Sequence, residues 1–109
     1  ETFQIVFLGT GVSTAIPSIR HILDMETKPC HVCYDAMNNP AGKNKRNNVS
    51  IAIIYKNEQG EKKCVLIDAG KTLRDTCLTT FVKYSISEVN GILLTHGHAD
   101  AIMGIDDLR

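Results

Sequence analysis

The sequence predicts an α/β fold built around a mixed sheet, and three features of the chain support this. Four short β-prone segments are separated by turn-forming glycine, asparagine and proline residues. One segment between the third and fourth of them repeats apolar residues every three or four positions, which is typical of a helix packed on one face. The order is therefore strands first, then strand, helix and strand, which predicts helices layered on a sheet.

The composition bounds the size of the protein and excludes several partners. The chain has 109 residues, 43% of them apolar, which suffices for one domain with a core. Twelve basic residues balance twelve acidic ones, so nucleic acid is not a favoured partner and any contact with it would be local. No apolar run is long enough to span a membrane. Cys64 and Cys77 fall at buried positions of predicted elements, and free thiols favour a reducing, cytoplasmic location.

The first elements in order are a strand and a long irregular segment. Phe3–Leu8 is apolar on both faces, which predicts a central, buried strand. It ends at the Gly-Thr-Gly sequence of residues 9–11, which predicts a tight turn. A dinucleotide-binding loop is excluded because residue 14 is threonine and no helix follows directly. Residues 12–48 have little periodicity beyond one short helix near Val32–Met37, and loops this long are usually functional or tied down.

A hairpin and a helix follow this segment. Val49–Tyr55 and Lys63–Ile67 are predicted strands, joined by a turn at Asn57–Gly60. Asp68-Ala69-Gly70 ends the second of these strands. The apolar stripe of Thr72–Tyr84 then predicts a helix that packs on the sheet.

The most informative segment surrounds the last predicted strand, the apolar run Ile92–Thr95, which is expected to be buried and leads directly into His96-Gly97-His98-Ala99-Asp100. A strand end aims side chains at a fixed point, so two imidazoles and one carboxylate at two-residue spacings are expected to converge on a metal ion. The simpler interpretation is two exposed loop histidines and an aspartate that caps a helix over Ala101–Leu108. Three ligand-type residues in five positions favour the metal.

A second group of ligand-type residues lies in the irregular segment. Cys30 and Cys33 form a Cys-x-x-Cys pair, and His21 lies nine residues upstream of it. A structural zinc would supply the constraint that a loop without its own core lacks, with His21 or alternatively His31 as third ligand and no obvious fourth. Two free thiols or a redox pair are the alternatives, because one Cys-x-x-Cys pair is only a moderate signal.

Other polar residues at strand ends have both a structural and a functional interpretation. Asp68 either caps its turn or accepts the ring N–H of a ligand histidine. The turn after the first strand and the basic run at 43–46 are either solvated loops or contacts to a phosphate. The residues expected to face a phosphate are Gly9, Thr10, Gly11, Ser13 and Arg46.

Together these motifs resemble the metallo-β-lactamase superfamily, whose marker is Thr-His-x-His-x-Asp-His after a strand. Residues 95–100 match it as Thr-His-Gly-His-Ala-Asp, and Ala101 stands where the marker has its last histidine. Segments 7–11, 46–50 and 66–70 resemble the phosphodiesterase branch, which includes tRNA 3′-end processing ribonucleases and the cyclic-phosphate phosphodiesterase of phosphonate breakdown. The Cys-x-x-Cys loop is similar to the latter group, whose relatives hold a structural zinc there.

The resemblance implies an αββα sandwich of which residues 1–109 are the N-terminal half. It implies that His96 and His98 bind a first ion and Asp100 a second, with Asp68 supporting the site. The ions would be zinc, with manganese or iron as alternatives. Further histidines and a bridging aspartate would come from a second half, so this half alone is expected to be inactive. Ala101 removes a nitrogen ligand, which leaves the second ion weak, hydrated, held by Asp106 or Asp107, or absent.

The expected function is that of a metal-dependent hydrolase, most specifically a phosphodiesterase. It would act on a cyclic or small nucleotide-like phosphodiester through a metal-bound hydroxide, with His96, His98 and Asp100 holding and polarising the metal. One alternative is another hydrolase of the same fold, of thioesterase, glyoxalase or β-lactam type. The other is a non-catalytic protein with a structural zinc, which Ala101 favours.

Overall fold

Residues 3–108 are described by a computed structural model, and they contain one mixed sheet of four strands in chain order. β1 pairs antiparallel with β2 and β2 antiparallel with β3, whereas β3 and β4 run parallel because a helical segment returns the chain between them. The strands are β1 Phe3–Gly9, β2 Ser50–Lys56, β3 Lys62–Ile67 and β4 Gly91–Leu93. The predicted α/β class is confirmed.

The helical elements are short. The predicted helix after β3 is present, but its middle widens into a π-helical turn at Cys77–Phe81. The single helix predicted over 101–108 is wrong, because the backbone N–H of Gly104 donates to the Ala69 carbonyl instead of continuing a helix, and two short segments result. The helices are α1 Ile19–Leu23, α2 His31–Asn38, α3 Leu73–Thr76 and α4 Ala99–Ile102, followed by a 3₁₀ turn at Ile105–Leu108.

One face of the sheet carries the core. Val6, Ala52 and Leu66 are register partners across three strands, and all three are buried. Side chains from the segment after β3, including Leu73 and Ile86, pack on this face. Alternation along each strand therefore gives the sheet one face covered by the helical layer.

The opposite face of the sheet is apolar and exposed, which corrects two predictions of burial. β1 is an edge strand rather than a central one, and Phe3, Ile5 and Phe7 lie on its open face, with Phe7 68% exposed. β4 forms the other edge, where Leu93 is 61% exposed. The helical layer covers only the other face, where Val6 and Leu8 of β1 are buried, so apolar composition alone does not bury the side chains of this face.

The long segment between β1 and β2 is tied to the rest of the fold through Asn48, whose side chain is buried. Its amide donates to the carbonyls of Val12 and Ser13, and its backbone N–H donates to the Thr72 hydroxyl, which donates back to the Asn48 side-chain oxygen. The nitrogen and the oxygen of its side chain are thus both paired, as a buried amide requires. None of the described helices is long and apolar enough to cross a bilayer.

A close backbone approach at Gly70 positions the element that carries Asp100. A Cβ atom added to Gly70 would overlap the backbone carbonyl of Asp100, whereas Gly91 in β4 has only an ordinary contact of 3.7 Å to a side-chain carbon. Only glycine therefore lets α4 lie this close to the turn after β3.

Gly70→Ala is expected to destabilise the fold by about 1–3 kcal/mol, because backbone must move to accommodate the methyl group. Gly91→Ala is the matched control and should change the free energy of unfolding by less than about 1 kcal/mol. Urea denaturation of both variants measures the difference. Equal stability of the two variants would show that the approach at Gly70 does not constrain α4.

Candidate metal centre

The end of β4 brings two imidazoles and a carboxylate together. His96 and His98 lie on the turn after the strand, and Asp100 lies in the first turn of α4. One ligand atom from each residue lies within 4.8 Å of those of the other two. The two imidazole rings are perpendicular, with centroids 5.0 Å apart. The convergence expected from the sequence is therefore what the fold produces.

The spacing of these atoms suits ligands of one ion. His96 Nε2 and Asp100 Oδ1 are 3.4 Å apart, which is longer than a good hydrogen bond. Two tetrahedral ligands at zinc bond lengths of 2.0–2.2 Å lie roughly 3.4 Å from each other. Two nitrogen donors and one oxygen donor suit zinc, manganese or iron, so the residues fit a divalent metal.

Asp68 fixes the turn that carries the histidines. It is 6% exposed and adopts a left-handed backbone conformation with φ of 64°, which aspartate tolerates better than most residues. Its carboxylate accepts the Thr95 backbone N–H at 2.8 Å and the Thr95 hydroxyl at 2.6 Å. Its own backbone N–H donates to the Leu93 carbonyl at 2.9 Å. One aspartate therefore joins the ends of β3 and β4.

Asp68 was expected to accept the ring N–H of a histidine directly, but its contact with His96 is indirect. In the described part of the chain its carboxylate bonds Thr95, and the Thr95 hydroxyl in turn lies 2.9 Å from His96 Nδ1. A hydroxyl has one hydrogen, which is donated to Asp68, so it accepts from His96 and Nδ1 must carry the proton. The Nε2 lone pair is then left for a metal. Asp68 thus supports the site through Thr95, a residue whose role was not predicted.

Ala101 lies against the turn after β3 and offers no ligand. It is 1% exposed, and its carbonyl accepts the Ala69 backbone N–H at 2.7 Å. The methyl group at this position replaces the nitrogen donor that the resemblance would place beside Asp100. Among residues 3–108, the end of β4 therefore offers three donors, from His96, His98 and Asp100.

The second predicted ligand group also assembles. His21 Nδ1 lies 3.3 Å from Cys33 Sγ, and Cys30 completes a set of ligand atoms within 4.8 Å of one another. His31 is exposed at the start of α2 and lies outside this set. The geometry therefore selects His21 over His31.

The pKa shifts of Cys30, Cys64 and Cys77 differ in direction. Hydrogen bonds from the backbone and then the thiol of Cys33 lower the pKa of Cys30, which favours the thiolate that binds metals. Burial raises the pKa of Cys64. It also raises the pKa of Cys77 to about 11, with smaller contributions from Cys64 and Asp107. The prediction of a buried thiol is confirmed for Cys64, whereas Cys77 is only half-buried.

The residues expected to face a phosphate lie at the end of β1. Arg46 is exposed, and its guanidinium donates to the Thr10 hydroxyl and to the Lys43 carbonyl, both at 2.7 Å. The Gly11 backbone N–H is already used by the Asn47 carbonyl at 2.7 Å. In addition, Ser13 offers its carbonyl to Asn48. Gly9 is the register partner of Ser50 and lies in the sheet.

Replacing Thr95 with valine should weaken metal binding about 10- to 100-fold, because loss of a group that orients a ligand histidine typically costs this much. Thr95→Ser keeps the hydroxyl and should stay within about threefold of the parent protein. Competition with a chelating dye, using the full-length protein, measures both affinities. If valine and serine bind metal equally, the hydroxyl does not orient His96.

The family model and the similar solved structures agree with one another. The sequence model of the metallo-β-lactamase superfamily matches residues 46–109. A crystal structure of a new diphosphatase from the PhnP family is 31% identical, with a TM-score of 0.69, and the match covers 99% of this chain and 36% of that one. The 1.98-Å crystal structure of Zn²⁺-bound PqqB from Methylobacterium extorquens is 22% identical, with a TM-score of 0.66, and shares the fold over 99% of this chain and 34% of that one.

One curated relative has a name of a different kind, and the match covers only a small part of that protein. The octanoyltransferase of Porphyromonas gingivalis (strain ATCC BAA-308 / W83) is 31% identical over 105 residues, which are 95% of this chain and 17% of that protein. The chain thus spans about a third of the solved structures and about a sixth of this relative, most of which lies outside the matched part.

Proposed function

This chain belongs to the metallo-β-lactamase superfamily, and from that premise we propose that it supplies the first metal ligands of a metal-dependent phosphodiesterase. The observation that carries the proposal is the convergence of His96, His98 and Asp100 at the end of β4. The substrate class is a cyclic or small nucleotide-like phosphodiester.

The role of these residues is to hold a divalent cation in a fixed position relative to the substrate. A bound cation would lower the pKa of a water molecule and polarise a P–O bond. His96 is held in the tautomer that presents Nε2, because Thr95 accepts from Nδ1. Asp100 contributes negative charge and is kept in place by the approach of α4 to Gly70. Preorganised ligands spare the reaction the cost of ordering them.

Phosphodiester chemistry is supported by the motifs and by one relative. The segments 7–11 and 46–50 resemble the phosphodiesterase branch, and the similar PhnP-family protein is a diphosphatase, which also cleaves bonds to phosphorus. The name of the octanoyltransferase points to acyl transfer, but 83% of that protein lies outside the matched part. A thioesterase or glyoxalase-type hydrolase remains the alternative within the same fold.

The full-length protein loaded with zinc or manganese should hydrolyse bis-p-nitrophenyl phosphate, with release of p-nitrophenol as the measurement. The double change His96→Ala with His98→Ala should lower kcat/KM by at least about a thousandfold, because metal ligands are removed. His31→Ala removes an exposed histidine outside both ligand groups and should leave the rate unchanged. Activity that survives the double change would rule the assignment out.

We also propose that His21, Cys30 and Cys33 hold a structural zinc. The buried Cys33 sulfur accepts the Ser18 backbone N–H at 3.4 Å and contacts His21, so the group ties α1 to α2. α1 has no buried residues of its own, and a metal would supply the constraint that packing does not. Such a metal is what a non-catalytic member of the fold would retain.

Metal analysis of purified full-length protein tests both centres together. Cys33→Ser should remove about one zinc per chain and leave bis-p-nitrophenyl phosphate hydrolysis within about threefold, because the cysteine group shares no residue with the group at the end of β4. Cys77→Ser, which changes a half-buried free thiol, is the control and should keep the full metal content. One zinc that is lost with Cys33→Ser but not with His98→Ala, in a protein without hydrolase activity, would favour the non-catalytic alternative.

A further inference from the structure

The Cys33 sulfur holds α1 on α2. The Ser18 backbone N–H donates to this sulfur at 3.4 Å, and His21 Nδ1 lies 3.3 Å from it. Among residues 3–108, these are the hydrogen bonds that join α1 and its N-terminal cap to α2. Because α1 has no buried residues, packing adds little to them. The position of α1 therefore depends on the chemical state of one sulfur.

The residues before α1 are held by bonds that do not involve this sulfur. The backbone N–H of Ile16 donates to the Arg46 carbonyl at 2.8 Å, and the Arg46 N–H donates back to the Ile16 carbonyl at 3.0 Å. A chemical change at Cys33 is therefore expected to loosen residues 18–29 and to leave the rest of the fold in place.

A second sulfur lies beside the first. The sulfur atoms of Cys30 and Cys33 are within 4.8 Å of each other. Cys30 is the residue before α2, and Cys33 lies in the first turn of that helix. This Cys-x-x-Cys spacing at the start of a helix is that of dithiols that interconvert with disulfides. Rotation of the two side chains therefore brings the sulfurs within reach of an S–S bond.

The two sulfurs differ in their access to solvent. Cys30 is half-buried and lines a cavity of about 420 Å³, whereas Cys33 is 3% exposed. Hydrogen peroxide has about the size of two waters, each of which takes up about 30 Å³ in the liquid, so it fits this cavity easily. A small oxidant therefore meets Cys30 first, and Cys33 reacts only through Cys30.

From this arrangement we infer that Cys30 and Cys33 form a reversible modification site, at which oxidation by a peroxide joins the two sulfurs and releases α1. The Cys30 thiolate attacks one oxygen of hydrogen peroxide, which forms an S–O bond, breaks the O–O bond and expels hydroxide. The Cys33 thiolate then attacks the Cys30 sulfur, which forms the S–S bond and expels a second hydroxide as the S–O bond breaks. The two sulfurs lose two electrons in total, and one peroxide accepts them.

The disulfide removes what holds α1 in place. Its sulfurs carry no negative charge, so Cys33 becomes a poor acceptor for Ser18, and neither sulfur binds zinc. His21 is then the one donor left of the three, which is too few for a structural ion. The release of zinc rests on the structural zinc of the proposed function, whereas the disulfide and the loosening of α1 do not.

Peroxide treatment of the full-length protein tests the site without the use of hydrolase activity. Mass spectrometry of peptides should find a disulfide between Cys30 and Cys33, and a zinc-binding dye should detect about one released zinc per chain. Trypsin cleavage after Arg20, in α1, should become about tenfold faster, because cleavage follows the population of the loosened segment. Cleavage after Arg74, in α3, should not change. Dithiothreitol and zinc, added before trypsin, should restore the slow cleavage.

Two variants separate disulfide formation from other effects of peroxide. Cys30→Ser removes the partner sulfur but keeps the Cys33 sulfur, so cleavage after Arg20 should not respond to peroxide in this variant. Cys77→Ser changes a half-buried free thiol outside the group and should respond like the parent protein, which makes it the matched control.

The outcomes separate the claims. Peroxide that leaves Cys30 and Cys33 as free thiols, or that carries Cys30 to a sulfinic acid instead, overturns the modification site. A disulfide that leaves cleavage after Arg20 unchanged, or an equal response of Cys30→Ser and the parent protein, overturns the control of α1. A disulfide that loosens α1 without releasing zinc supports this inference and overturns the structural zinc. None of these outcomes bears on the phosphodiesterase.

Discussion

The buried Asp68 is the constraint on which the candidate metal centre depends. It accepts both the N–H and the hydroxyl of Thr95, while its backbone N–H bonds Leu93 and its carbonyl accepts the Ser50 hydroxyl at 2.8 Å. Three strands are joined at their ends by this one residue. Because the carboxylate is 6% exposed, leaving it without partners would be costly, so the turn that follows β4 has little freedom to move. The direction of His96 follows from that turn.

Close backbone contacts transmit the same constraint to the carboxylate ligand. Gly70 lies against the Asp100 carbonyl, and the Ala69 backbone bonds both Ala101 and Gly104. The turn after β3 thus holds the imidazoles through hydrogen bonds and Asp100 through contact. Ala101 belongs to this support, which explains how the marker can lose its last histidine without losing the fold. What changes is the donor set, which lacks the nitrogen that the last histidine of the marker would supply beside Asp100.

The local signals in the sequence predicted the class of the fold and the convergence of two groups of ligand-type residues, whereas the burial of side chains and the contacts that support these groups needed the structure. Strand positions and the His96–Asp100 cluster follow from periodicity and from the direction of a strand end. Periodicity does not indicate which face of a strand another layer covers, so Phe7 and Leu93 were wrongly expected to be buried. Thr95 and Asn48 were missed because their partners, Asp68 and Thr72, lie more than twenty residues away. Residue type alone does not indicate such long-range pairs. The spacing of His21, Cys30 and Cys33, in contrast, did indicate that these three residues come together.

The exposed surfaces of this chain agree with its place in the superfamily. The helical layer covers one sheet face, and the other presents Phe3, Ile5 and Phe7 together with the exposed edge at Leu93. A soluble fold rarely leaves such a contiguous apolar face in water, because each buried side chain would contribute about 1.5–3 kcal/mol. In an αββα sandwich this face packs on a second sheet, and that layer would also border the exposed His96 and His98. The exposed imidazoles and the open face of the sheet are therefore both surfaces that the second layer of such a sandwich covers.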